Sequence, residues 1–300
     1  MCIRDSSNVG DSAIWMGELV LLGQLTGRAP AYVCTTRTYD AKALRLLCPE
    51  GPIFIHGGGN FGDIWPEHQR FRESLLREFP DRDLVQLPQT IKYRNSAKIQ
   101  TFVRASENHG RFHLYVRDVP SLDFATDNLG CPVDLLPDCA FAMGLQSSTQ
   151  RPDHAVIMLM RTDVERVAFD FGDLPDQPDV LRIDWLAEPR HLRRRLRIET
   201  LMNGMIKGVT QPSTYRRMLF ERLARARVRR GLDLLSRGDV VITDRLHAHI
   251  LSLLLNKRHV FLDNNYGKIT GYHQSWTKNV DIAVQAENEA QAMAAAAQMA

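Results

Sequence analysis

Short apolar runs alternate along the chain with longer stretches of helical period, which is the pattern of a parallel α/β sheet. In the first half the runs are Ala31 to Thr36, Gly51 to Gly57, Leu84 to Pro88, Phe112 to Asp118 and Val133 to Asp138. Helical spacing fills the intervals Ala13 to Gln24, His68 to Phe79, Ser96 to Asn108 and Ser121 to Leu129. The polar, proline-bearing segment Gly144 to Asp153 then reads as a linker, and the pattern resumes. Strands are expected over Ala155 to Met160, Asp239 to Asp244 and His259 to Asp263. Helices are expected over Pro189 to Leu201, Tyr215 to Ser236 and His247 to Leu255, with a terminal helix after Glu287. The pattern predicts two doubly wound, Rossmann-like α/β domains, residues 1–148 and 149–300. In such a sheet the loop at Asn8 to Asp11 should follow an apolar strand. The preceding "MCIRDSS" does not read as one, so the first strand is expected to be missing or replaced.

A hydrophobic content of 44% over 300 residues is enough for a sizeable core. No apolar stretch reaches the ~18 residues of a membrane span, and the start lacks the order of a signal peptide, so a cytoplasmic protein is expected. Five cysteines without C-x-x-C spacing suit reduced, mostly buried thiols rather than a disulfide framework or a structural zinc site. No pairing of histidines or carboxylates on one face suggests another metal. The net charge of +3 conceals arginine runs between Arg190 and Arg230, which suit a solvated helix face, an anionic ligand or an anionic membrane surface. The first run holds no interleaved aromatic residues, which weighs against nucleic acid.

The glycines of "IFIHGGGNFGDIW" (Ile53 to Trp65) fit G-x-G-x-x-G at Gly57, Gly59 and Gly62. A dinucleotide loop also needs an acid at the end of the next strand, where this chain has Pro88 and Gln89, and Asp63 has the wrong sign for a pyrophosphate. A plain turn, with Asn60 or Asp63 as helix cap, is the bland reading. The alternative is a sugar site, because Asn-x-Gly-Asp recurs at "NVGD". Asn8, Asp11, His56, Gly58, Gly59, Asn60 and Asp63 would then present amides, carboxylates and an imidazole to hydroxyl groups at the carboxyl ends of the strands.

The second half offers opposite chemistry. "VITDRLHAHILSLLL" runs a strand into Asp244, Arg245 and His247 at the mouth of a helix, while Arg161 and Lys268 follow two other strands. Cations, an imidazole and a helix N-terminus at one edge outline an anion site. His249 falls on another face of the helix and reads as packing, and Asp244 reads equally as a cap, a partner of Arg245 or a catalytic group.

Seven segments in order, "NVGDSAIWMGELVLL", "IFIHGGGNFGDIWP", "LVQLPQTIKY", "VRDVPSLDFA", "LLPDCAF", "MLMRTDVE" and "VITDRLHAHILSLLLNKRHVFLDNNYGKITGY", resemble the polysaccharide pyruvyl transferase family. The resemblance implies a fold similar to B-type glycosyltransferases and transfer of the pyruvyl group of phosphoenolpyruvate to two hydroxyls of one sugar. The product is a ketal on a polysaccharide or its lipid-linked precursor, with phosphoenolpyruvate as co-substrate and no cofactor. It implies Arg161 and His247 as the donor-binding pair with Arg245 and Lys268 beside them, His247 as general acid, and Asp11, Asp63 and His56 as acceptor binders or bases. Peripheral association with the inner face of the membrane is expected to run through the arginine-rich region. The alternatives are a nucleotide-sugar glycosyltransferase, with Glu165 on the ribose, and a non-catalytic saccharide- or anion-binding protein.

Overall fold

The computed structural model describes the chain apart from residues 5, 164, 173–176, 190, 207, 209–210, 264–266 and 300, and the side chain of residue 96. Two sequence readings touch that set: the start of the arginine run at Arg190, and Asn264 to Tyr266 of the "NNYGKI" segment, lie outside the described residues. Packing divides the chain into two units, one of Met1–Asp5, Ile14–Ala142 and His191–Leu223, the other of Ser6–Ala13, Met143–Arg190 and Ala224–Ala300. The chain therefore passes between units several times, and the "NVGD" loop packs with the second.

The first unit is built from helix α1 (Val9–Thr26), α2 (Ala41–Leu47), strands β1 (Ile53–Ile55) and β2 (Gly58–Gly62), α3 (Pro66–Glu78), β3 (Leu84–Lys92), α4 (Ile99–His109), β4 (Phe112–Val116), α5 (Val119–Asn128) and β5 (Val133–Leu135). All its strand pairs are parallel, in the order β1-β3-β4-β5, with β2 also against β3. Met1 to Ile3 supply the strand that the sequence left in doubt. Cys2 bridges both Cys34 and Ile55 in parallel, its N–H donating to Phe54 O at 3.0 Å while His56 N–H donates back to Cys2 O at 2.9 Å. All three residues are apolar and buried, which is why three suffice. The sheet thus runs Cys34, Cys2, β1, β3, β4, β5, and chain reversal falls between Met1 to Ile3 and β1. Ile53, Ile55, Leu84, Phe112 and Leu114 form its core with Leu75, Leu76, Phe79 and Phe102 of α3 and α4.

The remaining elements are β6 (His154–Leu159), β7 (Val180–Ile183), α6 (Leu192–Ile206), α7 (Pro212–Ser236), β8 (Gly238–Thr243), α8 (Leu246–Leu254), β9 (His259–Phe261), α9 (Lys268–Tyr272), β10 (Ala283–Gln285) and α10 (Glu289–Met299). The second sheet is also parallel, ordered β10-β9-β8-β6-β7. Its first strand, β6, lies beside its third, β8, so the reversal falls between them. Val156, Met158, Val240, Ile242 and Val260 pack under Ala292 and Ala296 of α10. The expected linker is held in place: Ser148 Oγ donates to Asp233 Oδ1 of α7 at 2.7 Å.

Candidate active site

In open α/β sheets ligands bind beyond the carboxyl ends of the strands where the winding reverses. In the second unit that point is the edge after β6 and β8, and Arg161, Asp244, Arg245 and His247 occupy it. Arg161 presents Nε and Nη2 to the two carboxylate oxygens of Asp163 at 2.9 and 3.0 Å, and Nη2 also lies 3.0 Å from Glu165 Oε2. Glu165 Oε1 in turn accepts from Lys268 Nζ at 2.9 Å. Arg245 Nη2 donates to Asp184 Oδ2 at 2.7 Å and lies 3.4 Å from Asp163 Oδ2. The structure therefore brings Arg161, Arg245 and Lys268 together, with Asp163, Glu165 and Asp184 balancing their charges. Burial works against the charge of Arg161, but Glu165 and Asp163 outweigh it and raise its pKa. Burial likewise opposes ionisation of Glu165, and Lys268 and Arg161 prevail and lower its pKa.

Asp244 differs from its neighbours. Burial dominates and pushes its carboxyl up to about 6, although the backbone N–H of Arg161 donates to its Oδ1 at 2.8 Å. It neither caps α8, where Arg245 is the cap without a side-chain bond, nor pairs closely with Arg245, whose carboxylate partners are Asp184 and Asp163. His247, in the first turn of α8, is half-buried.

The "NVGD" loop reaches this same histidine. A Cβ on Gly10 would lie 2.6 Å from Nδ1 of His247 and 2.8 Å from its Cγ, so the first turn of α1 can rest against the ring only because residue 10 is glycine. Asn8 Oδ1 accepts from Gly10 N–H at 3.1 Å as an N-cap, and Ser6 Oγ donates to Asp11. Asn8 and Asp11, read from sequence as acceptor-side groups of the first domain, thus shape the start of α1 within the second unit.

In the first unit the "GGGNFG" segment is a strand, β2, not a turn into a helix. The physical reason is close backbone approach: a Cβ on Gly62, at φ +121°, would lie 1.9 Å from Lys92 O, and one on Gly57 would lie 2.7 Å from Pro88 O. Gly58, at φ +115°, pairs with Gln89. Neither Asn60 nor Asp63 caps α3, whose cap is Trp65. Asp63 instead accepts from the N–H groups of Arg94 and Asn95 at 2.7 and 3.1 Å and fixes the turn after β3. Asn60 Oδ1 accepts from Arg72 Nη2 at 3.0 Å and Gln89 Nε2 at 3.1 Å, in a buried network that also holds the His56 carbonyl through Gln86 and Gln89. Arg72 stacks over Phe61 with its charge centre 4.2 Å from the ring centroid, and burial lowers its pKa to about 10.

His56 follows β1 at the reversal point of this sheet and lines a small pocket with Ile3, Arg4, Thr36, Asn60 and His68. Its Nδ1 lies 2.7 Å from Oε2 of Glu18, a fully buried carboxylate on α1 whose other oxygen accepts from Gly57 N–H at 2.8 Å. Glu18 favours the tautomer whose Nδ1–H it accepts, and in that tautomer the lone pair is on Nε2.

Residues 8–266 match the family model described as polysaccharide pyruvyl transferase. The chain is 32% identical over 284 residues to "Pyruvyl transferase 1" of Schizosaccharomyces pombe, covering 91% of this chain and 67% of that protein. The chain belongs to the polysaccharide pyruvyl transferase family. It is also 31% identical over 244 residues to "Putative pyruvyl transferase EpsO" of Bacillus subtilis, covering 79% of this chain and 72% of that one. Among solved structures, an uncharacterised protein from Klebsiella pneumoniae superposes with a TM-score of 0.58 over 95% of this chain and 91% of its own, at 18% identity. That likeness, with two parallel five-stranded sheets, agrees with the two-domain Rossmann-like fold expected of this transferase family.

Sequence reasoning missed Glu18 and Asp184 at these edges of the transferase. Glu18 occupies a polar position in an otherwise apolar helix, which signals only a buried charge in need of a partner. Asp184 follows β7, a strand the sequence did not reveal. Glu165, the group considered for a ribose, is engaged by Lys268 and Arg161. His249 is fully buried, with Nδ1 2.8 Å from His259 Nε2 and Nε2 3.0 Å from Thr277 Oγ1, so it packs rather than faces the edge. Among the described residues no group of His, Cys, Asp or Glu side chains is arranged to hold a metal ion.

Proposed function

We propose that this chain transfers the pyruvyl group of phosphoenolpyruvate to two hydroxyls of one sugar residue, forming a cyclic ketal on a polysaccharide or its lipid-linked precursor. The observation that carries the reading is the edge after β6 and β8, where Arg161, Arg245 and Lys268 lie in one ion-pair network beside His247 at the N-terminus of α8. Family membership supports a pyruvyl donor as that anion.

The chemistry assigns work to each group. A proton is added to the methylene carbon of phosphoenolpyruvate, which becomes the ketal methyl group, and the adjacent carbon becomes electrophilic. One hydroxyl oxygen bonds to that carbon, the carbon–oxygen bond to phosphate breaks, and the second hydroxyl closes the ring. Of the two hydroxyl protons released, one balances the proton delivered to carbon and one leaves with phosphate. In this reading the cations hold the donor's carboxylate and phosphate, His247 supplies the proton, and Asp163 is the carboxylate that the donor displaces. Its side chain, 27% exposed, is more open than those of Glu165 and Asp184, at 5% and 7%. The small pocket lined by His56 serves the acceptor's hydroxyls, with the amides around it holding the backbone in place, and phosphoenolpyruvate is a co-substrate without further cofactor.

The test is incubation with phosphoenolpyruvate and a panel of simple glycosides. Acceptor-dependent phosphate release, lost in His247→Ala, supports the reading. Saccharide binding without any phosphate release on any acceptor refutes it in favour of a binding protein.

A further inference from the structure

Helix α6 carries its apolar residues on the wrong side for a core. Ile198, Leu201, Met202, Met205 and Ile206 fall at i, i+3, i+4, i+7 and i+8, one continuous stripe, and all five are exposed, Met205 and Ile206 by 81% and 80%. The opposite face is the one that packs: Leu196, Thr200 and Gly204, at i, i+4 and i+8, are buried. Arg222 of α7 fixes the helix through Glu199 at 2.8 Å, so the stripe belongs to a docked helix and not to a loose end. Exposed apolar patches of this kind mark interaction sites.

The charges around the stripe identify what covers it. Arg193, Arg194, Arg195 and Arg197 crowd the first turns and are exposed. The one acid of the helix, Glu199, is already neutralised by Arg195 at 3.3 Å and by Arg222. On a helical wheel Arg194 and Arg195 continue the apolar stripe beyond its N-terminal end, and Arg197 lies beside its edge. An apolar stripe bordered by arginines, on the convex face of a single helix, is the pattern of a helix lying in the interface of an anionic bilayer. A second copy of the chain fits less well. Charge complementarity is missing there, because the one acid of α6 is already paired and none is left to answer a partner's arginines. Among the described residues no helix is long and apolar enough to cross a membrane, so the contact is peripheral.

We propose that α6 docks this protein on an anionic membrane surface, its apolar stripe in the acyl boundary and its arginines at the headgroups. The inference stands on this helix alone and is independent of the reaction assigned above. The full chain should float with vesicles of phosphatidylcholine and phosphatidylglycerol, much less with phosphatidylcholine alone, and less in high salt. Met205→Glu with Ile206→Glu should weaken binding by well over ten-fold, since each withdrawn side chain is worth about ten-fold or more. Both positions are exposed, so the melting temperature should hold. Arg194→Gln should cost roughly five-fold and only on anionic vesicles. Failure to float on anionic vesicles, or equal flotation of the double glutamate variant, overturns the proposal. A concentration-dependent dimer that dissociates in that variant overturns it in favour of a second copy.

Discussion

Gly10→Ala isolates one contact between the "NVGD" loop and the imidazole that the proposed reaction needs. The new methyl carbon would sit 2.6 Å from His247 Nδ1, 2.8 Å from Cγ and 3.0 Å from Cβ. Carbon contacts settle at about 3.5–4.0 Å, so the ring must withdraw by about 1 Å or turn away. A shift of that size at a reacting group costs on the order of 10²-fold in rate. The fold should notice far less, because overpacking costs about 1–3 kcal/mol while alanine regains up to about 1 kcal/mol over glycine in a helix. The residue needs no left-handed backbone, so no strain is added. Steady-state phosphate release should therefore show kcat reduced about 100-fold, and thermal melting should show a drop of only a few degrees. Pairing the change with His247→Ala completes the argument, since Gly10→Ala should add nothing once the ring is gone. A variant with near-normal turnover, or a double variant slower than His247→Ala, would show that Gly10 does not act through His247.

Asp163→Asn should lower KM for phosphoenolpyruvate severalfold with kcat little changed, because it removes the carboxylate the donor must displace; a raised KM would make Asp163 a donor ligand's support instead. Arg161→Ala should destabilise by about 3–5 kcal/mol, since it leaves buried Glu165 and half-buried Asp163 without their guanidinium, whereas Arg161→Lys should remain folded; equal melting temperatures for wild type and Arg161→Ala would count against a tight network. Gly62→Ala should cost more than about 3 kcal/mol in urea unfolding, through its left-handed φ and its collision with Lys92 O, and a soluble variant of wild-type stability would refute the close-approach account. Stability should fall as pH drops from about 6.5 towards 4. Burial lowers the pKa of His249 well below its ordinary value, of His259 to about 4 and of His273, so the unfolded chain takes up protons that the fold does not. Asp244 works the other way: its carboxyl, at about 6 in the fold, binds a proton more tightly than when unfolded, and its contribution is lost as pH rises from ~4 through about 6. Three imidazoles outweigh one carboxyl, so wild type should melt lower at pH 5 than at pH 7 and Asp244→Asn should steepen the acid loss; a flat melting profile would refute this.

The fold was legible where strands carry apolar runs: β6 and β8 hold continuous ones, Ala155 to Leu159 and Val240 to Ile242, while β3 and β4 hold shorter runs broken by polar residues. It was illegible where backbone rather than side chains makes the strand. β2 is written in glycines, which signal a turn on a single-sequence reading, and only the collision a Cβ at Gly62 would meet shows why they are there. Met1 to Ile3 are too few to show a period, and β7 and β10 are short and mixed. Arg161, Arg245 and Lys268 could be assigned to one edge from sequence because each comes shortly after a strand, so topology grouped them without distances. Their carboxylate partners were only partly visible, since Asp184 lies beyond an unrecognised strand and ion pairing is a property of the folded neighbourhood.

Both sheets follow one winding order, first strand beside third, and this explains how chemistry divides between them. At each reversal point an arginine lies within two residues of the end of the first strand, Arg4 in one unit and Arg161 in the other, but the surroundings differ in kind. Around Arg161 the carboxylates Asp163 and Glu165 are ion-paired, and half-buried Asp163 is the one the proposed donor would displace. Around His56 they are amides, Gln86, Gln89 and Asn60, whose hydrogen bonds are spent on backbone and on one another, with a single buried carboxylate, Glu18, spent on the imidazole. Amides do not compensate a trianion in a buried setting, but a ring nitrogen in the tautomer Glu18 favours can take a proton from a neutral hydroxyl. The winding supplies two equivalent positions, and in the proposed reaction the charge of the side chains lining each is what would assign one to the donor and the other to the sugar.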